Sequence, residues 1–279
     1  MRIAMLSAVV AAAVMTAGLL AFGSGGDAVS GQEGDPAMSS IKSETVEYKH
    51  GDVVCEGLLT WDSSKKGKRA AVLVVHDWMG RGDFDAQRSR ELAEMGYVAF
   101  SADIYGKGVR PTSVEEAAEQ AKKYRGDRQL QRDRVNAALK VLQEHELVDK
   151  SRIAAIGYCF GGGTVLELAR SGAEVAGVVS YHGNLDTPKL EDAKQIKGAV
   201  LVLHGADDPY VPWDQVTTFR KEMTEAGVDW QLNAYGNSVH AFTNPAAGDD
   251  PSRGAAYNEK ASKRAWAAMT TFFDDVLVK

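Results

Sequence analysis

Apolar positions recur along this chain in two rhythms, one of short unbroken runs and one of helical stripes, and their alternation predicts the element order. Ala70 to Val75 is apolar without interruption, the pattern of a strand buried on both faces. Tyr97 to Asp103, Arg152 to Tyr158, Val175 to Tyr181, Ala199 to His204 and Asp229 to Tyr235 read as further strands, rich in β-branched and aromatic residues. Between them lie helical stretches. One carries Phe84, Leu92 and Met95, and a second opens at Ser113-Val114-Glu115-Glu116 with the spacing of a capping box. A third, Arg128 to His145, sets Val135, Ala138, Leu139 and Leu142 on one face, and a last one aligns Trp266, Met269, Phe273 and Val276. Near the start, Thr45 to His50 and Val53 to Trp61 flank Gly51-Asp52, a hairpin signal that predicts an antiparallel sheet edge. Strands alternating with helices imply an α/β domain, its mostly parallel sheet covered on both faces, over residues 41–279.

The stretch from Arg152 to Thr164 organises the rest. A buried strand ends in Gly157-Tyr158-Cys159-Phe160-Gly161-Gly162, and Val165 to Arg170 resumes as a helix. A strand that reverses into a helix within a few residues strains the residue at its apex and leaves room for little beyond glycine around it. Gly157 and Gly161, two residues either side of Cys159, meet that need. The thiol then stands at a helix N-terminus, where the dipole favours a thiolate. A lone Cys is more often a small buried hydrophobe, and a glycine-rich turn more often cradles phosphate. Here no Gly-Lys-Ser/Thr follows, and Cys159 occupies the place where Gly-x-Gly-x-x-Gly needs its second glycine.

Ligands of such sheets bind beyond the carboxyl ends of the strands. There the chain carries Asp207-Asp208-Pro209 after one strand and Ser238-Val239-His240 after the last, in the chain order nucleophile, acid, histidine of α/β-hydrolase triads. Asp208, directly before Pro-x-Val-Pro, is the acid of choice, with Asp207 as the alternative; an ordinary loop histidine is the plainer reading of His240. Attack of a thiol on an ester carbonyl also needs amide donors for the oxyanion. The N–H of Phe160 is one candidate and that of Trp78 the other, although Trp78 also reads as an aromatic plug over the core. His76, His182 and His204 stand at strand ends too. Without HExxH or His-x-His spacing they are expected to hydrogen-bond neighbouring loops rather than hold a metal.

Composition narrows the classes. With 279 residues, 44 % of them hydrophobic, the chain can bury one large core. A formal charge of −6 argues against nucleic acid, which would need a basic stripe. Arg2, then an uncharged stretch from Ile3 to Phe22, then Gly23-Ser24-Gly25-Gly26 follow the order of a secretory signal, with Ala21-x-Gly23 as the cleavage pattern. The stretch is also just long enough to span a bilayer uncleaved, but its alanines, Ser7, Thr16 and Gly18 make a weak span, so export with cleavage over residues 1–23 is expected. Residues 24–40 read as a flexible linker. The two cysteines, Cys55 and Cys159, could pair in an oxidising compartment; Cys55 is read as packing in an early strand.

His76-Asp77-Trp78-Met79-Gly80, Ala102 to Gly106, Gly157 to Gly162, His204 to Pro212 and Ser238 to Phe242 together resemble the dienelactone hydrolase family. The resemblance implies an α/β-hydrolase fold, a triad of Cys159, Asp208 and His240, oxyanion amides from Trp78 and Phe160, and a monomeric, cofactor-free hydrolase. It further implies that Asp77 modulates the resting thiol and that Tyr105, Lys107 and Asn244 stand at substrate-binding positions. Two departures go with it. Asp77 replaces the usual Glu, and Lys107 and Asn244 replace the two arginines that bind the substrate carboxylate, which removes a bidentate clamp. The function expected is cleavage of a small ester or lactone through an acyl-enzyme on Cys159. An acyltransferase using the same Cys and a catalytically silent extracytoplasmic binding protein are the alternatives.

Overall fold

The run Ala70 to Val75 divides its side chains between two cores. In the computed structural model, which describes residues 40–277, Ala71, Leu73 and Val75 pack on one side of the sheet and Ala70, Val72 and Val74 on the other. This is strand β3 (Arg69–Val75), and β5 (Val148–Tyr158) and β7 (Ala199–Gly205) divide theirs in the same way. Period-two geometry makes this so: a strand buried on both faces must be apolar throughout. The expected signal, and the linker up to residue 39, lie outside the described residues.

With β1 (Ile41–His50), β2 (Val53–Asp62), β4 (Val98–Ala102), β6 (Gly177–Tyr181) and β8 (Trp230–Tyr235), these strands form one eight-stranded sheet in the order β1-β2-β4-β3-β5-β6-β7-β8. The β1–β2 and β2–β4 pairs are antiparallel and every other pair is parallel. The antiparallel edge and the parallel centre are those expected from the hairpin and from the alternation, and the architecture is the α/β-hydrolase fold.

Helices α1 (Asp83–Glu94) and α6 (Glu259–Val276) bury Leu92, Ala265, Met269 and Phe273 against one face. In α6 the apolar stripe is shifted from the expected one: Ala261, Ala265 and Phe272 join it, and Trp266 and Val276 are only half-buried. The other face is covered by α2 (Val114–Gly126), α3 (Arg128–Glu144), α4 (Phe160–Arg170) and α5 (Trp213–Ala226). Ser113 caps α2 by accepting from the Glu116 amide, while the Glu116 carboxylate reaches past the cap to the Thr112 amide, so the capping box closes one residue early. Helix α3 buries the four residues its spacing predicted. Helix α5, not among the expectations, buries Val216, Phe219 and Met223. Every residue of α4 is buried, which fixes this helix, and the turn before it, against the centre of the sheet.

Candidate active site

Cys159 sits between β5 and α4 with φ 54° and ψ −112°, a region that L-residues rarely occupy. The glycines around it explain how the bend is tolerated. A Cβ on Gly157 would lie 2.0 Å from the Gly161 carbonyl oxygen, and one on Gly161 would lie 2.3 Å from the Val75 carbonyl oxygen. The Cys159 amide donates to the Tyr181 carbonyl at 3.0 Å and to His182 Nδ1 at 3.2 Å, and its own carbonyl accepts from Gly162 at 3.0 Å. The thiol is partly exposed and lines a cavity of about 580 Å³ at the carboxyl edge of the sheet.

His240 reaches the same cavity from the loop after β8. That loop is tied to the segment before α6: the His240 amide donates to Gly254 O at 3.1 Å, and the Ala256 amide donates to His240 O at 3.0 Å. His240 Nδ1 lies 2.7 Å from Asp208 Oδ2, and Asp208 Oδ1 accepts from the Tyr210 amide at 2.8 Å. Asp208 is buried and Asp207 exposed, so the turn at the end of β7 delivers the second of the two adjacent acids to the histidine. Burial alone would push the His240 imidazole down. Electrostatic interaction with Cys159 and the hydrogen bond and charge of Asp208 outweigh it, and the group is pushed up to about 10.

The loop after β3 forms another wall. His76 is buried, and burial pushes it down to about 4. Its Nε2 accepts from the Ile104 amide at 3.2 Å, so Nδ1 carries the proton and donates to the Asp77 carbonyl at 2.6 Å. The Asp77 side chain lines the cavity. Burial raises its carboxyl, against a hydrogen bond from the Met79 amide and the nearby His240. Trp78 lines the cavity as well, and its carbonyl accepts from the Tyr105 hydroxyl at 3.0 Å. Among the described residues, neither the Trp78 amide nor the Phe160 amide, the first of α4, donates to an acceptor. Trp78 lines the same cavity as Cys159, and Phe160 follows Cys159 directly in the chain.

Tyr105 is buried behind this wall, packed on His76, Tyr124 and Phe160 with ring centroids 4.8, 5.4 and 5.3 Å away. It supports the Trp78 loop rather than facing the cavity. Asn244 does line the cavity, with its side-chain oxygen accepting from the Ala246 amide at 3.0 Å. Lys107 is not brought to the site. Its ammonium pairs with Glu47 and, at 3.7 Å, with Glu56 on the exposed outer side of β1 and β2. Lys107 is not among the residues that line the cavity, which departs from the substrate-binding position implied by resemblance.

Three further residues at the cavity have no counterpart in the sequence reading. Arg125, at the end of α2, and Arg253 are exposed at its rim, and Tyr210 packs edge-on to His240 with centroids 5.3 Å apart. No local pattern marks them, because each comes from a turn or helix end whose direction only the assembled fold determines. Two other histidines stand at strand ends, and His182 also lines the cavity. His182 Nε2 lies 2.8 Å from Thr243 Oγ1, and His204 packs edge-on to Trp213. With apolar walls such as Met79, Phe84 and Val211, the cavity suits a small, largely apolar molecule with a polar end.

Comparison with known proteins bears on the family and the fold. The sequence model of the dienelactone hydrolase family matches residues 57–277. A dienelactone hydrolase-like promiscuous phosphotriesterase from metagenomic libraries is 38 % identical, with a TM-score of 0.82 over 86 % of this chain and 100 % of that one. A protein from Aquifex aeolicus (strain VF5), provisionally named a carboxymethylenebutenolidase, is 25 % identical over 84 % of this chain and 99 % of its own length.

Proposed function

From the premise that the chain belongs to the dienelactone hydrolase family and is a hydrolase of small molecules, we propose that it cleaves carboxylic esters or lactones through a thioester on Cys159. The observation that supports this reading is that the His240 imidazole, 2.7 Å from Asp208 Oδ2, lines the same cavity as the strained Cys159, with electrostatic interaction with Cys159 pushing the imidazole up. His240 takes the Cys159 proton through Nε2, giving thiolate and imidazolium, with Asp208 holding the proton on Nδ1 and so fixing the tautomer. The sulfur attacks the carbonyl carbon, and the π electrons move to oxygen, where the Trp78 and Phe160 amides meet the charge. As the tetrahedral species collapses, the carbon–oxygen bond to the alcohol breaks and His240 protonates the departing oxygen through Nε2. In a lactone that alcohol stays tethered to the acyl group. His240 then takes a proton from water, the resulting hydroxide attacks the thioester, and the carboxylic acid leaves as the thiolate is restored.

Asp77 acts here as a carboxylate near the resting pair. Asn244 and the rim residues Arg125 and Arg253 stand where a polar substituent of the substrate would lie. From the apolar segment ahead of residue 23 in the sequence we further propose that the reaction takes place outside the cytoplasm, which cell fractionation checks.

Turnover of short p-nitrophenyl esters and a lactone panel by wild type and Cys159→Ala tests the proposal. A loss of at least about 10³-fold is expected, because the variant has no nucleophile to acylate. Undiminished turnover in the variant ends it.

A further inference from the structure

His182 is the residue in this site that no step above uses, yet it touches both sides of the reaction. It lies just beyond β6, buried to 1 % exposure, with φ 39°. Its amide donates to Leu203 O at 2.8 Å, which fixes its backbone to the neighbouring strand β7. Its Nδ1 lies 3.2 Å from the Cys159 amide nitrogen, and its Nε2 lies 2.8 Å from Thr243 Oγ1, three residues past His240. A backbone N–H can only donate, so Nδ1 is unprotonated and the ring proton sits on Nε2, directed at Thr243. The ring also packs edge-on to His240 and Phe242, each centroid 5.2 Å away.

These contacts run between two segments that are far apart in sequence and must nonetheless hold a sulfur and an imidazole at hydrogen-bonding distance. We propose that His182 is a positioning residue that ties the nucleophile elbow to the His240 loop, accepting from the Cys159 amide with one ring nitrogen and donating to Thr243 with the other. Burial and the neighbouring His240 both push its ring well below the ordinary histidine range, in keeping with a neutral tie that leaves the cationic role to His240. Protonation would put a second donor against the Cys159 N–H and undo the contact. The Cys159 amide keeps its bond to Tyr181 O in any case, so the elbow survives loss of the tie. The alignment of the two halves does not.

The inference rests on reading Cys159 as the nucleophile. Its test therefore uses two readouts: steady-state kinetics on the best ester of the panel, and the rate of alkylation by iodoacetamide, assigned to Cys159 by peptide mass. His182→Asn keeps a short acceptor beside the Cys159 amide and tolerates positive φ, but it cannot reach Thr243. Thr243→Val removes the other end of the same link. Each is expected to lower kcat and the alkylation rate by roughly tenfold, with KM moving less than about threefold and Tm by only a few degrees. The double variant should be no worse than the weaker single one, because both sever one bond. Should a His182 variant fail to fold, Thr243→Val alone carries the test by the same two rates. Losses that multiply to roughly a hundredfold in the double variant, or that fall on KM alone, would overturn the tie. If no ester is turned over but alkylation is fast in wild type and slowed in the variants, the tie stands and the ester reading falls.

Discussion

Around Cys159 the backbone leaves no alternative: Cβ atoms on Gly157 or Gly161 would lie 2.0 and 2.3 Å from carbonyl oxygens, and helix α4 behind them is buried along its whole length. Around His240 the constraint is of another kind. That loop is held by backbone bonds to Asp207, Gly254, Ala256 and Asn258, by a carboxylate from the end of β7 and by a histidine from the end of β6. Close-packed backbone sterics place Cys159, whereas separable hydrogen bonds between segments place His240 and Asp208. The first arrangement is rigid and breaks abruptly, and the second can be loosened one bond at a time while the fold persists.

The sharpest way to break the first half is Gly161→Ala. The added methyl meets the backbone of β3, which cannot swing aside, so a stability loss of about 3 kcal/mol or more is expected in urea unfolding, with activity lost along with it. A variant that unfolds at the wild-type midpoint would contradict the steric account of the elbow.

Asp208→Asn tests the second half and should leave the fold intact. Activity is expected to fall on the order of 10²-fold, less than the ~10⁴-fold seen when a serine triad loses its acid, because a thiol is the better nucleophile unaided. The same variant alters stability against pH. His240 is raised from 6.5 to about 10, so its contribution is fully present below pH 6.5 and is lost as pH rises through 10. Since Asp208 supplies part of that rise, the alkaline fall in Tm should begin at lower pH in Asp208→Asn than in wild type. Superimposable Tm profiles between pH 7 and 10 would show that the carboxylate does not support the imidazolium.

The smallest effect is expected at Lys107, which belongs to neither half. Lys107→Ala removes an exposed pair with Glu47 and Glu56, and should change kcat/KM by less than about twofold and stability by less than about 1 kcal/mol. A large rise in KM for acidic substrates would return Lys107 to the cavity.

The same contrast governs what could be read without coordinates. The strands were legible because a two-sided strand has to be apolar throughout, as Ala70 to Val75 is. The elbow was legible because its apex and the glycines it needs fall within six contiguous residues, Gly157 to Gly162, even though the backbone that Gly161 must clear belongs to β3. The acid loop was legible only in chain order: which of Asp207 and Asp208 turns inward depends on a hydrogen bond from the Tyr210 amide and on burial, neither of which has a sequence signature. Lys107 shows the limit of matching positions, since alignment locates a backbone but the nearest carboxylates decide where a flexible side chain goes. Helix α5 was legible in principle, since Val216, Phe219 and Met223 stand at i, i+3, i+7. Arg125, Tyr210 and Arg253 converge only once the sheet has brought three connections together. His182 carried a faint signal, a histidine before glycine at a strand end, but its two partners lie 23 and 61 residues away.

The central claim is that sulfur at position 159 carries the acyl group between two half-reactions. Rapid acid quench of the enzyme during turnover of p-nitrophenyl acetate, followed by intact-protein mass and peptide mapping, addresses it directly. The account predicts one added acetyl group, located on Cys159 and absent from Cys159→Ala. Turnover with no adduct under conditions where deacylation is slowed, or an adduct on any other residue, would contradict it.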